Sequence, residues 1–99
     1  MLTSAFSPCV VIPCYNHGAT MASVLARLAP FKLPIIVVDD GSDATTQQQL
    51  AQLSAENLHI ARLPSNQGKG AAVILGLRTA MRQGYTHALQ LDADGQHAI

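Results

Sequence analysis

Charge is what this 99-residue sequence has least of: charged residues make up 12% of it, six basic against six acidic, so the formal net charge is zero. Such a chain has no overall electrostatic grip on a polyanion, which argues against nucleic acid and against an anionic membrane as partners. The basic residues Arg27, Lys32, Arg62, Lys69, Arg78 and Arg82 are dispersed and form no patch in sequence. Tryptophan is absent, and the only aromatic residues are Phe6, Tyr15, Phe31 and Tyr85, too few for a base-stacking platform. Cysteine occurs only at Cys9 and Cys14, flanking one short apolar run. A strand between them holds them too far apart to bridge, so free thiols in a reducing compartment are expected. Residues 1–8 lack a basic and apolar leader and no apolar run reaches membrane-spanning length, so a cytoplasmic location is the default expectation.

What is abundant is apolar side chain, 48% of the chain. That suits one small domain over residues 1–99 with a buried parallel sheet. Four short β-type runs alternate with helical stretches: Cys9–Pro13, Ile35–Val38, Leu58–Leu63 and His87–Leu91. The third, interrupted by His59 and Arg62, is expected near an edge. Between the first two runs, Met21, Val24, Leu25 and Leu28 make one helical stripe, with Thr20 as a candidate cap and Pro30 as the stop. A polar helix capped by Ser42 or Asp43 is expected to run to about Ser54, and a third over 68–83, with Val73, Leu77, Ala80 and Met81 as its core stripe and Gly84 ending it. The pattern β-α-β-α-β-α-β predicts an open, mainly parallel, Rossmann-like three-layer α/β sandwich with right-handed crossovers.

Ligands of such sheets bind beyond the carboxyl ends of the strands, at the switch in strand order. Four of the six carboxylates, Asp39, Asp40, Asp92 and Asp94, follow the second and fourth strands. Asp92, Asp94 and Gln96 share the strand's period of two and offer hard oxygens to Mg²⁺ or Mn²⁺; an Asp-Ala-Asp-Gly turn explains the same residues. Asp39 and Asp40 suit hydrogen bonding to a base or ribose, or else capping of the next helix, the role expected of Asp43. After the first strand, Tyr15 is placed to stack on or border a base, and Asn16 with Gly18 shapes a turn; a plain turn with Gly18 at an unusual φ explains the same residues. His17 reads as an exposed loop histidine. Ser65 to Gly70 is a glycine loop with Lys69, either ligand-facing or structural, and it is neither a P-loop nor a GxGxxG fingerprint.

Together these segments resemble the inverting family 2 glycosyltransferases of GT-A fold, over Val10 to His97. The likeness rests on Val11-Ile12-Pro13-Cys14-Tyr15-Asn16, Val37-Val38-Asp39-Asp40-Gly41-Ser42, Asn66-Gln67-Gly68-Lys69-Gly70 and Asp92-Ala93-Asp94-Gly95-Gln96-His97. The last is most similar to the dolichyl-phosphate mannose synthase and polyprenyl-phosphate branch. The resemblance implies that Asp92 and Asp94 form the family's DXD motif, holding Mg²⁺ or Mn²⁺ on the diphosphate of a UDP- or GDP-sugar with help from Gln96. It implies nucleotide contacts at Pro13, Tyr15, Asn16, Asp39, Asp40, Gly68, Lys69 and Asp92. It also implies a general base and acceptor half beyond Ile99. This chain is therefore expected to be a truncated donor-nucleotide half without transfer activity of its own. Contact with a membrane is expected only through segments outside it or a lipid acceptor, and self-association through an exposed sheet edge is a further expectation. The competing readings are a receiver-like signalling domain, a nucleotidyltransferase of related fold, and a non-catalytic nucleotide-binding module. Tyr15-Asn16 after the first strand, where a receiver places its acidic pair, disfavours the receiver.

Overall fold

The β-branched run of β1 (Pro8–Cys14) has no polar face, so it needs cover on both sides. In the computed structural model, which describes residues 6–53 and 57–92, it lies inside a sheet with helices on either side. The order along the chain is β1, α1 (Gly18–Leu28), β2 (Ile35–Asp40), α2 (Ala44–Ala51), β3 (Leu58–Leu63), α3 (Lys69–Arg82) and β4 (His87–Gln90), with a short 3₁₀ turn at Ala29–Phe31. The strands pair in parallel in the order β3-β2-β1-β4. The order reverses between β1 and β4, the switch point of a doubly wound sheet. A receiver-type order would instead put β3 beside β1.

Alternation sorts β1 and β2 into two cores. Val10, Ile12, Cys14, Ile35 and Val37 pack with Met21, Val24 and Leu28 of α1 and Leu50 of α2. Cys9, Val11, Ile36 and Val38 face α3 through Ala72 and Ala80. The two cysteines are therefore free and buried on opposite faces of one strand. As expected, β3 is an edge strand; β4 is the other edge, and all four of its residues are exposed.

Several local expectations need correction. α1 begins at Gly18 with His17 at its cap position, and Thr20 lies inside the first turn, where its hydroxyl donates to the His17 carbonyl. The left-handed φ in that turn belongs to Asn16 (+56°), not to Gly18. Gly18 is needed for closeness instead: a Cβ there would come within 3.1 Å of Thr46 Cγ2 on α2. In α3 the buried residues are Ala72, Gly76, Thr79 and Ala80, while Leu77 and Met81 point outward. Small residues set that phase, since a Cβ on Gly76 would collide with Val11 and lie 3.1 Å from Val38 Cγ2. α2 ends at Ala51; Ser54 lies outside the described residues.

Candidate functional site

Parallel strands deliver their carboxyl ends to one edge, and there a cavity of about 340 Å³ opens. Pro13, Cys14, Tyr15 and His17 line it from the end of β1 and the following turn, and Asp40 from β2. Asn66, Gly68 and Lys69 approach it from the turn into α3, and Asp92 from just beyond β4. The volume is in the range of small-molecule sites. The cavity therefore joins one residue or more from each candidate segment, and it spans the switch point.

The two aspartates ending β2 face different neighbours. Asp39 is fully buried. Its Oδ2 accepts from Arg62 Nε at 2.9 Å, and its Oδ1 accepts from the Ser42 amide at 2.9 Å. Asp40 is 3% exposed, and it fastens the turn that leads into α3. Its Oδ1 accepts from the Gln67 amide at 2.8 Å; its Oδ2 accepts from the Gly68 amide and Asn66 Nδ2, both at 3.0 Å. Both carboxylates thus hold protein donors, while Asp40 still borders the cavity. Asp43 caps α2, accepting from the Thr46 amide at 2.9 Å, as its sequence position suggested.

Asn16 locks the turn after β1 to the start of α2. Its amide donates to Ser42 Oγ at 3.0 Å, and its side-chain oxygen accepts from the Asp43 amide at 2.9 Å. Asn tolerates the left-handed backbone this requires. With the turn held on both sides, Tyr15 is presented at the rim, 45% exposed. Below it Cys14 is buried; burial pushes its thiol pKa up, a His17 backbone hydrogen bond acts against that, and the Asp39 charge adds to it. Cys9 is raised by burial alone. Neither thiol is therefore an activated nucleophile.

Lys69, the first residue of α3, reaches across the cavity to Asp92, Nζ to Oδ1 at 2.7 Å. The Asp92 side chain is 27% exposed and Lys69 59%, so both ends meet solvent. Asp92 is the one expected metal ligand among the described residues, and its Oδ1 is engaged by Lys69. Asp94 and Gln96, the other expected ligands, and His97 lie outside the described residues. No group of three or more His, Cys, Asp or Glu side chains suited to a metal occurs among the described residues.

Three members of these networks were not named for a part in the site. Arg62 carried a signal, as a charge in a buried-type strand, and its register opposite Asp39 gives it a partner. Asn66 and Ser42 carried none beyond ordinary turn chemistry, because their partners lie 26 residues away.

A parallel α/β sheet of this order, with a cavity over its switch point, is of the doubly wound, Rossmann-like type. Residues 9–99 match the model of glycosyl transferase family 2, and the chain belongs to that family. It is 35% identical over 94 residues to the polyprenol monophosphomannose synthase of Mycolicibacterium smegmatis, a match covering 90% of this chain and 36% of that protein. The undecaprenyl-phosphate mannosyltransferase of Micrococcus luteus is 33% identical over 91 residues, covering 88% and 37%. A UDP-N-acetylglucosamine–dolichyl-phosphate N-acetylglucosaminyltransferase of Methanococcus voltae is 35% identical over 104 residues, covering 90% and 41%. The chain thus spans about two fifths or less of the length of these relatives.

Proposed function

We propose that this chain carries the donor end of a glycosyl-transfer site, binding a UDP- or GDP-sugar whose sugar passes to a polyprenyl phosphate. The observation that supports this most directly is the convergence of Tyr15, Lys69 and Asp92 on one cavity at the switch point. Tyr15, rigid and half exposed, is suited to cover a base beside Pro13. Asn16 sets the position of Tyr15 through Ser42 and Asp43, and Asp40 sets that of Gly68 and Lys69. As the sugar–phosphate bond breaks, negative charge builds on the departing diphosphate, and the Lys69 ammonium is placed to meet it. A divalent ion, when bound by Asp92 with Asp94 and Gln96, would supply further neutralisation of the same group. The polyprenyl-phosphate acceptor follows the names of the relatives, each of which contains such a lipid. Two buried free thiols suit the cytoplasmic side, where we place the site.

The test is calorimetric titration of UDP and GDP into the chain with and without Mn²⁺. Binding that strengthens with Mn²⁺ is expected, and Asp92→Ala should remove the metal-dependent part. Folded protein that binds neither nucleotide, or binds equally with and without metal, would overturn the assignment.

A further inference from the structure

α3 has a second apolar stripe that faces away from its own core. Ile74, Leu77 and Met81 fall at i, i+3 and i+7, and they are 53%, 42% and 75% exposed. Three large apolar side chains thus stand in line on one outer helix face, uncovered by the other described residues. Beside them, one turn apart, stand Arg78 and Arg82, both exposed and neither in an ion pair with another described residue. α3 contains no acidic residue and holds three of the chain's six Lys and Arg, counting Lys69 at its first position. The described acids Asp39, Asp40, Asp43 and Asp92 lie at or just beyond the carboxyl ends of the strands, the end where α3 begins. A chain of zero net charge is thus polarised: the outer face of α3 is cationic and apolar together.

We propose that this face of α3 docks on an anionic lipid surface, with Ile74, Leu77 and Met81 entering the acyl boundary and Arg78 and Arg82 meeting the head groups. The shape favours lipid: the stripe is the convex side of a 14-residue helix about 21 Å long, which lies in an interface plane and offers no groove to a peptide. A second copy fits poorly. Isologous pairing of the stripe would bring four arginines, two from each copy, to one seam, with no acid on α3 to offset them. Three side chains also cover far less than the ~800 Å² per partner of a stable dimer. The inference is independent of nucleotide binding.

The test is co-sedimentation of the chain with phosphatidylcholine vesicles, with and without phosphatidylglycerol, at rising salt, with circular dichroism on every variant. Binding to the anionic vesicles should exceed binding to the neutral ones and fall with salt. R78Q/R82Q should weaken it about 25-fold, fivefold for each arginine near an anionic surface, while R78K/R82K retains it. I74S/M81S, at exposed positions, should weaken it at least tenfold. A folded chain that sediments with neither vesicle overturns the proposal. So does equal binding to both vesicles, or a concentration-dependent dimer lost in I74S/M81S without vesicle binding, which would assign the face to a second copy.

Discussion

Asp40→Asn separates a structural carboxylate from one that only waits for a ligand. Asp40, 3% exposed, accepts three part-buried hydrogen bonds, so water compensates their loss only in part. Asn is the same shape and leaves no cavity. It retains one acceptor oxygen, best placed toward Asn66 and Gly68, which turns its NH₂ against the Gln67 amide. One part-buried donor then loses its partner, at about 1–2 kcal/mol, the lower part of the range for a buried group. The two surviving bonds change from charge-assisted to neutral, at roughly 0.5–1 kcal/mol each. The sum is about 3 kcal/mol, a large share of the 5–15 kcal/mol typical of a small domain. Thermal midpoints of domains this size move by about 4–8 °C per kcal/mol, so a fall of roughly 12–24 °C is expected.

Urea unfolding followed by circular dichroism measures this directly, with an unchanged slope showing that the two states are the same. Asn66→Ala alone and combined with Asp40→Asn closes a cycle, and a coupling energy of at least about 0.5 kcal/mol is expected because the two side chains share a bond. A loss below about 1 kcal/mol in Asp40→Asn, with no coupling to Asn66, would refute the account of Asp40 as the fastening of the 66–68 turn.

Arg62→Met should cost about 2–3 kcal/mol in the same assay, since it strands the fully buried Asp39 with only the Ser42 amide, while the exposure of Arg62 keeps the loss below that of a wholly buried pair. Gly41→Ala should lower the thermal midpoint strongly: φ is +66° and the new Cβ would run into the Ser65 and Asn66 backbone, together about 3 kcal/mol or more. Lys69→Met should change stability by less than about 1 kcal/mol, its ion pair being exposed, yet weaken nucleotide binding and strengthen Mn²⁺ binding in the absence of nucleotide; both are read by calorimetry. Stability should be level below the ordinary thiol pKa of about 8.5 and fall as pH rises past it. Burial raises Cys9 and Cys14 in the folded chain, so the unfolded chain loses those protons first, and a Cys9→Ala, Cys14→Ala variant melted across alkaline pH should show a flatter decline.

The legible parts of the fold were those governed by near neighbours. Val10 to Ile12 and Ile35 to Val38 are apolar at every position, which sets both strands between two helical layers without knowledge of partners. The Asp43 cap reaches three residues ahead and could be read from spacing. The phase of α3 could not, because Gly76 and Ala72 mark its buried face by being small. Their role depends on Val11 and Val38, far away in sequence, and side-chain size alone pointed to Leu77 and Met81 instead. The candidate segments of the site were legible as strand ends, since a parallel sheet must bring them to one edge. Which carboxylate borders the cavity was not, because the placement of Asp39 depends on the β2–β3 register and that of Asp40 on the fold of the 66–68 turn.

The acids at that edge divide by what already neutralises them. Asp39 and Asp40 are almost wholly withdrawn from water and hold donors from the chain itself, so a new ligand on either oxygen must share or displace a bond that shapes the cavity. Asp92 differs in kind. Its side chain is 27% exposed, and it pairs with a lysine on a flexible stem that can move without disturbing the sheet, while Gln90 Nε2 lies 3.4 Å from the same Oδ1. An incoming cation would compete with that lysine at Asp92, and Lys69, once released, would remain beside the same cavity with its charge unspent. The β2 acids build the walls, and the Lys69–Asp92 pair stores two opposite charges at the mouth. A metal-bearing diphosphate, cationic at the metal and anionic at the phosphates, would satisfy both at once. A ligand of one sign alone would satisfy one of them and strand the other, so the metal-free nucleotide and the nucleotide-free metal are expected to be the two weak binders in the calorimetric series.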